Sequence, residues 1–433
     1  MLTRAQYRKG WCPGALSPMQ VKDGLLVRLR ITGGVVSAET LRQLAEASRA
    51  FGNGLMDLSS RSNLQLRGVT QARLPQLHAT LDALHLIDED PCAEAVRNVM
   101  ASPLAGLTGT IDIGPIARAL EAALVAARDL HRLPGKFGFL IDDGGVLSLA
   151  DEPADVRFEY CERRKAFAVS TGGSREAIGL GHCAPDAVVA TALALARAFL
   201  RLGAAMPEPP RRMAALVAAC GADDIAVAAG LGVAPSTRRA ASEAPSPIGF
   251  MSIGGAAFFG AGAPFGRLTA AMLDSAAEAS QIFGSGEIRL TPWRALIFPR
   301  VDPAAIDSLR RHFAADFIVG RDDPRLSVAA CGGALACVRA TTQTHADALA
   351  LAAIARRLKG EGIALHVSGC AKGCAHPRPT PFTLVGDQGR YDLVVDGTAF
   401  DHSIAQNLDV AAAGKLLAAM AHADEEERGG ERP

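Results

Sequence analysis

One eleven-residue string occurs twice in this chain, and that repetition limits the folds open to it. Leu44-Ala-Glu-Ala-Ser-Arg-Ala-Phe-Gly-Asn-Gly54 and Ala276-Ala-Glu-Ala-Ser-Gln-Ile-Phe-Gly-Ser-Gly286 align at a constant offset of 232. At that offset Leu58 falls on Leu290, Leu64 on Leu296, and the stretch from Leu74 on Ala304 to Phe313. Two copies mean duplication and suggest a pseudo-two-fold; a solenoid needs more and shorter repeats. Each copy reads as strand, helix, strand, strand, helix. Leu25 to Ile31 alternates like a half-buried strand with Arg28 and Arg30 on one face. Ser37 can cap a helix whose Leu41, Leu44, Ala45 and Ser48 share a stripe, and Gly52 to Gly54 ends it. Leu55 to Leu58 and Asn63 to Arg67 read as strands, Leu74 to Leu84 as a helix, with a further strand near Leu86.

The copies differ where a ligand would meet them. The first carries Arg61, Asn63, Gln65 and Arg67 along one strand, and the second has Trp293, Ala295, Ile297 and Pro299 there. One copy kept polar groups while the other became scaffold.

The second constraint is Cys331-Gly-Gly-Ala-Leu-Ala-Cys337, followed after 33 residues by Cys370-Ala-Lys-Gly-Cys374. A C-x5-C and C-x3-C quartet suits an iron–sulfur cluster or a structural zinc. The longer gap fits poorly with the tight knuckles of zinc ribbons. Gly373 lets the backbone approach a bulky inorganic core. The plain alternative is four small buried hydrophobes.

Length suggests two to four domains, and zero formal net charge gives no sign of a nucleic-acid or membrane-surface partner. Nine cysteines in 433 residues are not a secreted disulfide framework, and the N-terminus shows no apolar signal region, so a reducing cytoplasm is expected. The apolar run Val188 to Leu200 is short for a bilayer, within a helix expected from Asp186 to Leu202. Pro235 to Pro247 reads as a linker and Asp424 to Pro433 as a frayed tail. Gly260-Ala-Gly-Ala-Pro-Phe-Gly266 has its third glycine one residue late for a dinucleotide fingerprint and lacks the acidic residue that should follow. Electrons from NADH would therefore arrive through another protein.

The quartet, the duplicated unit and Ser60-Arg-Ser-Asn-Leu-Gln-Leu-Arg-Gly-Val69 together resemble the sulfite/nitrite reductase superfamily over almost the whole chain. Lys9-Gly-Trp-Cys-Pro-Gly14, Ser17-Pro-Met19, Lys136-Phe-Gly-Phe-Leu-Ile-Asp142 and Ser368 to Pro377 resemble its precorrin-3B synthase family. The resemblance implies an α/β (α+β) fold of two ferredoxin-like units (1–90 and 248–325), each followed by an α/β lobe (91–234 and 326–423), with linker 235–247 and tail 424–433. It implies a [4Fe–4S] cluster on Cys331, Cys337, Cys370 and Cys374; in siroheme relatives the last of these also bridges to the haem iron. Arg28, Arg61, Arg97 and Lys136 fall on positions that ring tetrapyrrole carboxylates. Arginine suits that task with planar donors that stay charged. Asn63, Gln65 and Arg67 would join them, and Arg30 is expected to be a solvated surface charge.

Two departures bear on the reaction. Lys136-Phe-Gly138 stands where sulfite reductases have a Lys-x-Lys pair, and losing one buried cation there costs on the order of 100-fold in rate. Asp57 stands where siroheme enzymes have arginine. The implied activity is O2-dependent hydroxylation of precorrin-3A at C20, with a γ-lactone from a ring A acetate, driven by a separate electron donor fed from NADH. The resemblance also brings a mononuclear non-haem iron, for which His376 and Asp57 are the ligands to consider; His182 and His366 are expected to be structural or exposed. The alternatives are a siroheme-dependent sulfite or nitrite reductase and a non-catalytic iron–sulfur carrier.

Overall fold

The computed structural model describes residues 12–108, 111–232, 246–358 and 362–430. Lys9 to Trp11 and most of the Pro235–Pro247 linker, apart from Ser246 and Pro247, lie outside the described residues.

The first unit runs β1 (Met19–Val21), β2 (Gly24–Leu29), β3 (Val35–Ser37), α1 (Ala38–Phe51), β4 (Leu55–Leu58), β5 (Leu64–Val69) and α2 (Leu74–Ala83). The first lobe follows with α3 (Pro91–Val96), β6 (Val99–Ala101), α4 (Gly114–Ala126), β7 (Phe139–Asp142), β8 (Ala154–Cys161), β9 (Ala166–Gly173), β10 (Ile178–Cys183), α5 (Val188–Ala204), α6 (Met213–Cys220) and α7 (Ala222–Ala228). The second unit comprises β11 (Gly249–Ile253), β12 (Ala256–Gly262), β13 (Arg267–Thr269), α8 (Ala270–Phe283), β14 (Glu287–Leu290), β15 (Ala295–Pro299) and α9 (Ile306–Phe313). The second lobe comprises β16 (Val328–Ala330), α10 (Gly333–Ala336), α11 (Thr344–Ala355), β17 (Leu365–Ser368), β18 (Thr380–Asp387), β19 (Arg390–Gly397), β20 (Ala405–Leu408) and α12 (Val410–Gly430). The fold is α+β. Helix α12 continues past Asp424, where composition suggests a frayed tail: Glu425 to Arg428 are good helix formers, and the helix reaches Gly430. Around Leu86 the chain forms a turn, not a strand.

The duplication is visible atom by atom. Ser37 caps α1 by accepting from Thr40 N, and Thr269 caps α8 by accepting from Met272 N. Ser48 Oγ donates to Leu55 O, and Ser280 Oγ donates to Glu287 O. Gly54 and Gly286 take φ of 76° and 74°, the left-handed turn that only glycine adopts without strain. The units exchange edges. β13 completes the first sheet (β1-β2-β5-β4-β13) and β3 completes the second (β11-β12-β15-β14-β3). Ala38 N donates to Gly286 O at 2.8 Å and Ala270 N to Gly54 O at 2.9 Å. Helices α1 and α8 pack together, and both units share one apolar core in which Leu41, Leu44, Leu273 and Ala276 are fully buried. Truncating Leu41 or Leu44 there to alanine would cost about 2–5 kcal/mol.

Each lobe has its own five-stranded mixed sheet, ordered β10-β9-β8-β7-β6 and β16-β17-β18-β19-β20. The stretch Pro185–Ala204 is long and apolar enough to cross a membrane by length and composition, yet Ala192, Leu195, Ala196 and Phe199 pack into the first-lobe core.

Candidate functional site

Strands β16 and β17 are parallel neighbours, so the loops after both leave the same end of the sheet. Cys331 follows β16 directly, one turn of α10 carries the chain to Cys337, and Cys370 to Cys374 is the loop after β17. That is how two distant sequence pairs meet. Cys331 N donates to Val367 O at 3.4 Å, and Gly369 N donates to Cys331 Sγ at 3.2 Å. Burial pushes the Cys374 thiol up to about 11; Lys372 opposes this, and Cys331, Cys370 and Cys337 add to it. Cys370 is raised by burial too, with Cys337 and Cys331 again among the causes. The four sulfurs share one electrostatic neighbourhood, and a bound cation would hold Cys370 and Cys374 as thiolates against their raised proton affinity.

Among the described residues no three His, Cys, Asp or Glu side chains close on a single ion. A tetrahedral zinc with bonds of about 2.3 Å would need sulfurs about 3.8 Å apart. A polynuclear iron–sulfur cage spans a wider quartet than that, one sulfur to each of its metal atoms. Gly373, at φ 62°, forms the tight turn inside the second pair.

Next to this loop lies a basin of cations. Lys372 belongs to the loop itself. Its charge reaches Lys136 of the first lobe, whose ammonium is held below its ordinary range by burial, with Arg61, Lys372 and Arg212 adding to the shift and Cys12 opposing it. Arg61 Nη2 and Arg212 Nη1 both donate to the Lys136 carbonyl, at 3.2 and 3.0 Å. Burial lowers the proton affinity of Arg61, and Arg212 and Arg28 lower it further. The floor is the polar face of the first sheet. Leu64 and Leu66 point into the core, leaving Asn63 and Gln65 on the opposite face, with Arg28 and Asp57 flanking Gln65 in the ladder. The Nε atoms of Arg28 and Arg30 and the hydroxyl of Ser62 are buried without a hydrogen-bond partner. Bare buried donors on a cationic face are what an anionic ligand would satisfy. A cleft of ≈ 460 Å³ lined by Cys12, Ser17, Arg30 and Glu94 adjoins this face.

Several expected members are committed elsewhere. Arg67 is a buried strut: Nε and Nη2 grip Asp23 at 2.9 and 2.8 Å, Nη1 meets Asp57 at 2.8 Å, and Nη2 reaches Ala336 O at 3.0 Å. Arg97 grips Asp88 through Nε and Nη2 at 2.6 and 2.8 Å and Glu121 through Nη1 at 2.8 Å. Strand alternation shows which face such a residue takes, not which carboxylates lie across from it. Asp57 is held by both Arg67 and Arg267, which removes it as a metal ligand. His376 has His366 6.2 Å away, ring centre to ring centre, and belongs to no three-ligand group among the described residues. Arg30 is not a surface charge: it is buried, donates to Asn98 Oδ1 at 2.7 Å, and burial lowers it to about 10 against the pull of Glu94. His182 is exposed, as expected, whereas His366 is fully buried.

Sequence reasoning missed Arg212 and Lys372. Lys372 could have been found, because it sits between two presumed ligands; Arg212, in a Pro-rich stretch, carries no local signal. It also missed Glu152, where the first lobe meets Trp293 and Arg378. Burial raises this carboxyl to about 7, against the nearby Arg378 charge and a hydrogen bond from Trp293.

The nitrite/sulfite reductase ferredoxin-like half domain matches residues 17–84 and 254–316, the two units. A precorrin-3B synthase from Sinorhizobium sp. is 33% identical over 406 residues, covering 92% of this chain and 85% of the relative. A ferredoxin–nitrite reductase from Synechococcus elongatus is 27% identical, covering 85% of this chain and 77% of that one. The NirA protein of Mycobacterium tuberculosis shares the fold at TM-score 0.74 and 21% identity, over 91% of this chain and 79% of that one. With its paired half domains and the first of these relatives spanning nearly all of it, the chain belongs to the precorrin-3B synthase family of the sulfite/nitrite reductase superfamily.

Proposed function

We propose that this chain acts as a precorrin-3B synthase, an oxidoreductase that inserts one atom of O2 at C20 of precorrin-3A, with a γ-lactone closing from a ring A acetate. The observation that carries the reading is the junction at Lys372. Lys372 stands between Cys370 and Cys374 and its charge acts on both Cys374 and Lys136, which supports a polyanionic macrocycle lying beside the sulfur quartet.

The basin would do three things. Arg28, Arg61, Lys136, Arg212 and Lys372 would neutralise substrate carboxylates, and the guanidinium groups would also orient them through paired N–H donors. Asn63 and Gln65 would supply neutral partners. Arg67 and Arg97, already saturated by carboxylates, would hold the walls in place. A [4Fe–4S] cluster on Cys331, Cys337, Cys370 and Cys374, when bound, would deliver electrons singly, at a potential set by burial and hydrogen bonds to sulfur. The electrons would come from a separate protein fed by NADH, in a reducing cytoplasm that keeps the thiols available. No three-ligand group for a mononuclear non-haem iron is formed among the described residues.

Anaerobically purified protein, assayed for iron and sulfide and extracted for haem, should carry a cluster and no haem. With precorrin-3A, a reductant and O2 it should form a lactone product carrying oxygen from 18O2. A Soret-absorbing protein that turns over sulfite or nitrite would replace this reading with a siroheme-dependent reductase.

A further inference from the structure

Leu365 and Val367 of β17 point into the second-lobe core. His366 and Ser368 take the opposite face of the strand. Ser368 Oγ donates to Cys370 O at 2.7 Å, so the cysteine loop folds back over this face. His366 is completely buried there, and neither ring nitrogen has a hydrogen-bond partner. A buried polar group left bare is destabilising unless a ligand completes it. Its ring lies against the middle of the loop: Cε1 is 3.7 Å from where a Cβ on Gly373 would stand. The imidazole is thus in van der Waals reach of the turn at Gly373, on which Ala399 also packs, 3.2 Å from the same point. The facing polar ring, His376, is 6.2 Å away centre to centre, and its nitrogens are not hydrogen-bonded to those of His366.

We propose that His366 is a positioning residue for the iron–sulfur cluster, its imidazole N–H donating a hydrogen bond to sulfur at the Cys370–Cys374 side. This rests on the cluster assignment above and adds a residue outside the cysteine motif. An N–H donor to sulfur stabilises the reduced, more negative cluster and raises its potential. One such bond, at about 1.4 kcal/mol, changes the reduction equilibrium about tenfold, or 59 mV for one electron.

The test uses full-length protein with iron and sulfide content measured first, then an EPR-monitored redox titration. His366→Leu should keep the cluster but be about tenfold harder to reduce, and His366→Gln, which restores a donor, should recover part of the shift. In 15N-histidine-labelled wild type, the reduced cluster should show a nitrogen hyperfine coupling that survives His376→Gln and disappears in His366→Gln. Should His366→Leu fail to accumulate, the labelled wild type and the two glutamine variants decide alone. A cluster-loaded leucine variant with unchanged potential, or a loaded wild type without that coupling, overturns this inference and leaves the proposed function standing. A wild type that binds no iron and sulfide overturns both.

Discussion

Replacing Arg67 by alanine separates a structural strut from a ligand-binding arginine. Arg67 makes four charge-assisted hydrogen bonds to Asp23, Asp57 and the Ala336 carbonyl, with its side chain only 7% exposed. Although burial opposes its charge, Asp23 and Asp57 raise its proton affinity, so it stays cationic. Removing one partner of a buried ion pair costs about 3–5 kcal/mol, chiefly through the charge left behind. Here Asp57 keeps Arg267 and both carboxylates retain some contact with water, so the lower end, about 3 kcal/mol, is expected. Ala336 precedes Cys337, so the same change frees the first cysteine loop. Denaturant unfolding should show the stability loss, and iron release to a chelator should be faster than in wild type. Removing Asp23 as well should cost less than the sum of the single changes, because the arginine then strands one charge fewer. If Arg67→Ala keeps full stability and iron retention while weakening tetrapyrrole binding, the strut reading is wrong and Arg67 returns to the ligand set.

Three further outcomes are expected. Cys370→Ser should abolish the broad visible iron–sulfur absorbance and lower bound iron; an unchanged spectrum would show that Cys370 is not a ligand. Arg61→Ala should weaken precorrin binding about 10- to 100-fold, the worth of one hydrogen-bonded charge, with iron content intact; unchanged affinity would take Arg61 out of the ligand set. Glu152 sits at about 7 in the folded chain against an ordinary 4.5, so its contribution to stability is full below about 4.5 and lost as pH rises through 7. The loss is at most about 3 kcal/mol. Glu152→Gln should therefore gain on wild type between pH 5 and 8 in denaturant midpoints, and parallel pH curves would refute the assignment.

What was legible in the sequence was whatever repeats or alternates. The string around Ser48 and Ser280 announced the paired units, because the same helix-to-turn contact must be remade in each. The cysteines announced the loops after β16 and β17. The exchange of β3 and β13 was not legible, since a three-residue strand carries no period and its partner lies in the other half. Nor were the partners of Arg67 and Arg97. A lone arginine looks the same whether it awaits a ligand or grips Asp23 or Asp88, and only the folded chain tells them apart.

The lobes are duplicated as well, which the diverged sequences hide. Both sheets run parallel, parallel, antiparallel, antiparallel, and their registers set Val99 and Phe139 against Val328 and Leu365. On that register Ser102 stands where Cys331 does. The likeness extends to hydrogen bonds: Ser102 N donates to Ile141 O as Cys331 N does to Val367 O, and Asp143 N donates to Ser102 Oγ as Gly369 N does to Cys331 Sγ. Counting on from β7 and β17 puts Gly144 and Ser148 at the places of Cys370 and Cys374. In the first lobe the space these groups surround is taken by the buried Asp142 carboxylate, which accepts from Ser102 Oγ, Gly144 N, Ser148 Oγ and Leu149 N. A hydrogen-bonded carboxylate thus closes one lobe where thiols open the other. The units lost function in the opposite half: the first kept Arg61 on its strand, while the second put Trp293 there, packed on Met100 and Leu140 of the first lobe. A duplicated chain could have had two sites. Most cations of the basin lie in the first half and the four cysteines in the second, with the Lys372 charge in the cysteine loop reaching Lys136, so under the proposed function the two halves would build a single reaction centre between them.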